Sequence, residues 1–415
     1  MENQHPGYYR LKYPSPLSPD EFTANIPGTQ AIYSYFQEGK KLFVFRFFEG
    51  KWYIKLYTGS DTDETLREWL AFIRALPSDD IQNIAEKGQS LTQILLPGLS
   101  SEMKNLLIIP DGKLGYLPFE TLLQENSESK YDNEYREWAF LARNFTFRYI
   151  NNAGIWLQYA EASEYPAPYL GFAPAFGEDA YAGGTRSMPG ALRYNQTEVM
   201  QVAGLLKGKA LTGIAADEAS VKKLEDTPHI LHFATHAVAD DNDPMASKLY
   251  FGPQTDSAED NMLHVWEIFG LDLNSPLTVL SACQTGAGPL QRGEGIMSLA
   301  RAFQYSGSRN VLTTLWQTDD QAGAEITTSF FGYVNEDWSL ENALRESKTD
   351  WLRKSDNYHC HPYFWAGYVL IGNGGNVNIK GSGFWANGLI YAGILLSAIV
   401  IILIFSKKML FPASR

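Results

Sequence analysis

Two apolar runs that read as β-strands end on residues able to do chemistry. Leu277-Thr-Val-Leu-Ser-Ala-Cys283 stops at a cysteine and enters the Gly-rich stretch Gln284-Thr-Gly-Ala-Gly288. His229-Ile-Leu-His-Phe-Ala-Thr-His236 stops at a histidine 47 residues before that cysteine. A thiol needs a nearby base to become a thiolate at neutral pH. Neighbouring parallel strands lie only ~4.8 Å apart, so His236 as general base and Cys283 as nucleophile can meet above one sheet. Acyl transfer also needs backbone N–H groups aimed at an oxyanion, and those of Cys283 and Ala237 are the candidates. On residue type alone the competing reading stays open, because an isolated cysteine often behaves as a small buried hydrophobe.

The elements that must hold this pair alternate between strand and helix. Strand patterns cover Asn105–Ile109, Thr146–Ile150, Tyr169–Phe172, His229–Ala234, Leu277–Ser281 and Asn310–Leu315. Helical patterns cover Gln196–Leu206, Ala216–Leu224, Gly295–Tyr305 and Ala322–Val334. Such alternation predicts an α/β fold with a largely parallel sheet covered on both faces and function at the carboxyl ends of strands. Ahead of it, the aromatic runs Ala31–Phe36, Lys41–Phe47 and Lys51–Leu56 are separated by Gly turns, the pattern of an antiparallel meander. Helices are expected from Asp61 and over Ile81–Leu95. The expected organisation is an extension over 1–30, a small α+β supporting subdomain over 31–100, and a catalytic domain over 101–373.

Ordered motifs along 28–373 resemble the CHAT family of caspase-like cysteine peptidases, related to caspases and separases. They are Leu106-Leu-Ile-Ile-Pro-Asp-Gly-Lys-Leu-Gly-Tyr-Leu-Pro-Phe-Glu-Thr-Leu122, His232-Phe-Ala-Thr-His236, Leu280-Ser-Ala-Cys-Gln-Thr-Gly286, Arg292-Gly-Glu-Gly295, Leu315-Trp-Gln-Thr-Asp-Asp320 and Tyr363-Phe-Trp-Ala-Gly-Tyr-Val-Leu-Ile-Gly372. The resemblance implies a caspase-like α/β/α sandwich with a mostly parallel sheet. It carries a Cys-His dyad onto Cys283 and His236, and with it endopeptidase activity through a thioester acyl-enzyme. Ala237 departs from the Gly often found after the histidine. On the substrate side the resemblance points to Ser281 and to Asp320, an acidic group able to line the specificity pocket; Asp320 can equally cap the helix that follows. Caspase-type selection for Asp is not expected, because Ser281 stands where Gln is needed and no basic residue follows Cys283. Protein or peptide substrates are implied, with a tetratricopeptide-repeat or sensor partner supplied by another chain or a longer protein. A catalytically silent scaffold is the competing reading.

A formal charge of -13, with no basic stripe, argues against nucleic acid as a partner. The 2 cysteines, Cys283 and Cys360, make no disulfide framework and suit a reducing compartment. His359-Cys360-His361 lacks the second pair that would complete a tetrahedral metal set, so neither metal nor cofactor is expected. His232, in a strand body, reads as a core residue rather than a second base. No secretory signal opens the chain. After a Gly/Asn-rich linker over 374–383, residues 384–405 carry no charge and precede Lys407 and Lys408 in a basic tail over 406–415. That run predicts one transmembrane helix, hence a membrane-bound, tail-anchored protein in contact with lipid and facing the cytoplasm.

Overall fold

The computed structural model describes residues 18–24, 26–59, 61–78, 83–124, 134–151, 166–176, 192–224, 229–240, 243–251, 259–281, 284–285 and 295–379. In chain order its strands are β1 (Gln30–Glu38), β2 (Lys41–Phe48), β3 (Lys51–Thr58), β4 (Asn105–Ile109), β5 (Thr146–Tyr149), β6 (Tyr169–Ala173), β7 (Lys209–Thr212), β8 (Ile230–Phe233), β9 (Ala237–Ala239), β10 (Lys248–Tyr250), β11 (Met262–His264), β12 (Leu277–Leu280), β13 (Gln284–Thr285), β14 (Asn310–Thr314) and β15 (Tyr368–Gly372). The longer helices are α1 (Asp61–Arg74), α2 (Ile84–Leu95), α3 (Asn195–Leu206), α4 (Gly295–Tyr305), α5 (Asp320–Asn335) and α6 (Leu340–Lys354). Eleven strands make one sheet in the order β3-β2-β1-β4-β5-β15-β14-β12-β8-β6-β7, and β11-β10-β9-β13 make a second, smaller one.

The fold is α/β as expected, but the large sheet is mixed: of its ten strand pairs seven are parallel and three antiparallel. Pairs β1–β2, β2–β3 and β14–β15 are antiparallel. Local chemistry explains the first two: Gly39, at positive φ, and Lys40 link Glu38 to Lys41, and Glu49 and Gly50, both at positive φ, link Phe48 to Lys51, two-residue turns too short to join parallel strands. Between β14 and β15 two long helices follow one another, α5 and then α6, so the chain reverses once more than in a βαβ unit. The meander continues into the main sheet because β1 runs parallel to β4, from Gln30 opposite Asn105 to Ser34 opposite Ile109.

The expected membrane-anchored architecture and membrane localisation are not supported by the described residues. Among the described residues no helix is long and apolar enough to cross a membrane. Residues 380–415, which include the expected span over 384–405 and the basic tail, lie outside the described residues. An uncharged run of sufficient length is a requirement for a spanning helix but does not by itself create one.

Helices cover both faces of the sheet. On one face α3, α5 and α6 pack together, and Phe331 of α5 meets Tyr169 of β6 and His232 of β8, with ring centroids 5.5 and 5.6 Å apart. On the other, Phe303 of α4 sits 5.4 Å from Phe233 of β8. One buried ion pair ties α6 to the sheet. The Lys348 Nζ donates to Glu120 Oε1 at 2.6 Å and to the Tyr368 carbonyl at 2.6 Å, while Tyr149 donates its hydroxyl to Glu120 Oε2 at 2.5 Å. Burial lowers the Lys348 pKa and raises that of Tyr149 well above the usual phenol range. Removing one partner of such a pair leaves a buried, uncompensated charge. Glu120→Gln is therefore expected to lower unfolding free energy by about 3–5 kcal/mol in urea titrations. Glu120→Leu with Lys348→Met should recover much of that loss, whereas an unchanged midpoint in Glu120→Gln would show that the pair is dispensable.

Candidate active site

Parallel pairing of β8 with β12 sets the geometry. Leu277 lies opposite Ile230 and Leu280 opposite Phe233, a register that couples each residue of β8 to the one 47 positions later. Both strands are buried throughout, which fits their unbroken apolar sequences in the middle of a sheet covered on both sides. At their carboxyl ends the N–H of Ser281 donates to the Phe233 carbonyl at 3.1 Å. Three residues later Gln284 pairs with Val238 and Thr285 with Ala239, as β13 joins β9. Cys283 itself lies outside the described residues.

His236 lies three residues beyond the end of β8 and is 3% exposed. Its ring packs edge-on against Phe176, 4.7 Å between centroids, and its carbonyl accepts from the Tyr250 N–H at 2.8 Å. Ala237, next in the chain, is 1% exposed and stands opposite Leu249 in the small sheet. The backbone carrying the candidate base is thus pinned between β8 and the β9–β10 ladder.

An open cavity of about 450 Å³, counting the space that opens to solvent, lies beside His236. His236, Ser281 and Asp320, singled out in the sequence, all line it, together with Tyr194, Asn195 and Glu198 of the α3 region. Asp319, not Asp320, caps α5: its Oδ1 accepts from the N–H groups of Gln321 and Ala322 at 3.1 and 2.9 Å. The Asp320 carboxyl is left for the cavity. Partial burial pushes its pKa above the usual carboxylate range, Asp319 and Glu198 add to the rise, and the N–H of Arg193 opposes it. Gly323, one turn along, leaves room for the Tyr368 hydroxyl, from which a Cβ there would stand 2.7 Å.

Glu198 escaped the sequence reading. It follows Asn195 by three residues at the start of a helix, a pattern that signals capping rather than a cavity wall. Its position is nonetheless buried, with Oε1 3.0 Å from His232 Nε2 and no aligned hydrogen bond. His232 is fully buried, as expected of a strand body: Nδ1 lies 2.7 Å from the Tyr169 hydroxyl and Nε2 3.0 Å from the Ser281 hydroxyl. Ser281 therefore lines the cavity while its hydroxyl engages the buried His232 ring.

The His359-Cys360-His361 cluster disperses. His359 pairs with Asp356, His361 Nδ1 accepts from the Tyr363 N–H, and Cys360 Sγ faces the Leu352 carbonyl. Burial raises the Cys360 thiol to about 11 and lowers His361 to about 3. Among the described residues the acidic group Glu218, Glu259 and Glu267 has ligand-like spacing, but Lys222 Nζ lies 2.6 Å from each of the three.

A family model described as CHAT domain matches residues 85–373. Human tetratricopeptide repeat protein 28 is 26% identical over 218 residues, which cover 45% of this chain and 9% of that protein. The Saccharomyces cerevisiae separase–securin complex superposes at a TM-score of 0.49 with 8% identity, over 86% of this chain and 30% of that one. The Arg-specific cysteine proteinase gingipain R gives 0.44 with 8% identity, over 75% and 74%. The chain spans only a small part of the first two.

Assigning the cap to Asp319 has a measurable consequence. Asp319→Ala is expected to cost about 1 kcal/mol of stability, as lost N-caps do, while Asp320→Ala costs little or nothing. Thermal unfolding of both variants checks this, and the reverse ranking would reassign the cap.

Proposed function

Because the chain belongs to the CHAT domain family, we propose that it is a cysteine endopeptidase that cleaves protein substrates with Cys283 as nucleophile and His236 as general base. The observation that carries this reading is the pair of backbone ties flanking both residues: Ser281 to Phe233 on one side and Gln284 to Val238 on the other. His236 takes the thiol proton, and the thiolate attacks the scissile carbonyl. The N–H groups of Cys283 and Ala237 receive the oxyanion. As the C–N bond breaks, His236 returns its proton to the leaving amine, and water then hydrolyses the thioester. Asp320 supplies charge for the residue before the scissile bond, which should be Arg or Lys. Glu198, deeper in the cavity wall, has the same sign. Ser281 holds the floor through His232 rather than touching substrate. No cofactor enters this chemistry.

A second reading, a silent scaffold that binds a protein partner, draws on Ala237. Its Cβ is buried beside the oxyanion position, and one relative is a tetratricopeptide repeat protein. Kinetics separate the two. His236→Ala and Cys283→Ala should each abolish peptide cleavage, with non-additive losses and an unchanged melting temperature, because the pair acts as a unit. Cleavage surviving in Cys283→Ala would refute the dyad, and no cleavage by a folded wild-type protein would favour the scaffold.

Specificity is tested through pH. A protonated Asp320 attracts no cation, so kcat/KM for Arg substrates should fall as pH drops through its raised pKa, more steeply than for Leu substrates. Asp320→Asn should erase that difference and lower kcat/KM for Arg substrates by on the order of 3 kcal/mol. Equal pH profiles for the two substrates would end the acidic-pocket idea.

A further inference from the structure

At the end of the large sheet opposite β7, β3 has one neighbour among the described residues, β2, and its other edge is open. Seven of its eight residues are exposed, which is unusual for a sequence as apolar as Lys51-Trp-Tyr-Ile-Lys-Leu-Tyr-Thr58. Tyr53 is 62% and Ile54 63% exposed. The alternation of a strand sorts these residues into two unlike faces. Trp52, Ile54 and Leu56 share one face, opposite Phe47, Phe45 and Phe43 of β2, and exposed Phe36 of β1 extends the stripe, its ring tilted against Phe43 at 6.0 Å between centroids. Lys51, Tyr53, Lys55 and Tyr57 share the other, where Lys55 lies over the Tyr57 ring and Arg46 of β2 over the Tyr53 ring.

This concentration of positive charge lies in a chain whose formal charge is -13. Glu38 and Glu49 sit at the turns that bound β2, not among the lysines of β3. A long, apolar open edge attracts other strands, and the two lysines make that attraction selective. A second copy is disfavoured by charge. Antiparallel pairing of two β3 strands about a twofold axis normal to the sheet would gather Lys51 and Lys55 of both chains on one face. An incoming strand with acidic residues on that face and apolar residues on the other would instead meet both faces with complementary chemistry, while its backbone completes the ladder.

We propose that the open edge of β3 is a docking site for an extended segment of a partner protein in which acidic and apolar residues alternate. The site lies apart from the cavity beside His236 and does not depend on catalysis. The occupant adds an antiparallel or parallel strand, sets its carboxylates against Lys51 and Lys55, and covers Trp52, Ile54 and Leu56.

The full chain is titrated by fluorescence anisotropy with three labelled peptides. One alternates Glu with Val, one has the same composition with its glutamates grouped at one end, and one alternates Lys with Val. The alternating acidic peptide should bind about tenfold or more tightly than either other, consistent with two cross-strand charge pairs plus the apolar face. On binding, amide exchange should slow across residues 51–58. Lys51→Glu with Lys55→Glu should lose the acidic peptide and gain the basic one, without a shift in melting temperature. Ile54→Asp should weaken both. Equal binding of the alternating and grouped peptides would overturn the proposal. So would protection elsewhere than 51–58, concentration-dependent dimerisation through β3, or binding to phosphatidylserine vesicles without binding to the peptide.

Discussion

The proposed Cys283–His236 dyad depends on the parallel register between β8 and β12. That register couples positions 47 apart, the same interval that separates His236 from Cys283. A slip by one residue would turn alternate side chains to the opposite face of the sheet. The burial of both strands resists such a slip, because Leu231 and Phe233 on β8 and Val279 and Leu280 on β12 have fixed places in the packed layers on either side. Beyond the catalytic positions a second parallel ladder holds the two segments together, with β13 lying along β9 at an interval of 46 residues. Two ladders therefore bracket one short stretch on each strand.

Around this register the sheet serves as a rigid frame. The Lys348–Glu120 pair fastens α6 beneath β15, and its demanding geometry follows from the cost of burying an ammonium group. The motif Pro118-Phe-Glu-Thr121 owes its distinctiveness to this contact and lies apart from the cavity. Near the cavity, His232, Tyr169 and Ser281 form a buried polar chain below the strand ends. Satisfied networks of this kind stiffen what rests on them. Asp320 is held differently: Asp319 takes over helix capping, so that the adjacent carboxyl is free to face the cavity.

Much of this frame was legible from local pattern. Strand Asn105–Ile109 and helix Gly295–Tyr305 coincide with the apolar periodicity of their residues, because burial on two faces or one stripe leaves a direct imprint. The antiparallel entry of β15 was not legible, since strand direction depends on how many helices intervene and how they pack, not on the strand's own residues. Glu198 was hidden because a carboxylate in a first helical turn looks the same whether it faces water or a cavity. Lys51–Leu56 carried an apolar strand signature, yet the faces of β3 are exposed, because the pattern reports what a strand could bury and not what covers it.

The central claim is that Cys283 is the nucleophile and that His236 activates it. The most direct measurement is covalent labelling of the folded full chain with an arginyl peptide bearing an electrophilic ketone, followed by mass mapping of the adduct. The account predicts one adduct, on Cys283, lost in His236→Ala and retained in His232→Ala, with Cys360 unmodified because burial keeps its thiol protonated. An adduct on Cys360, or undiminished labelling of Cys283 in His236→Ala, would contradict it.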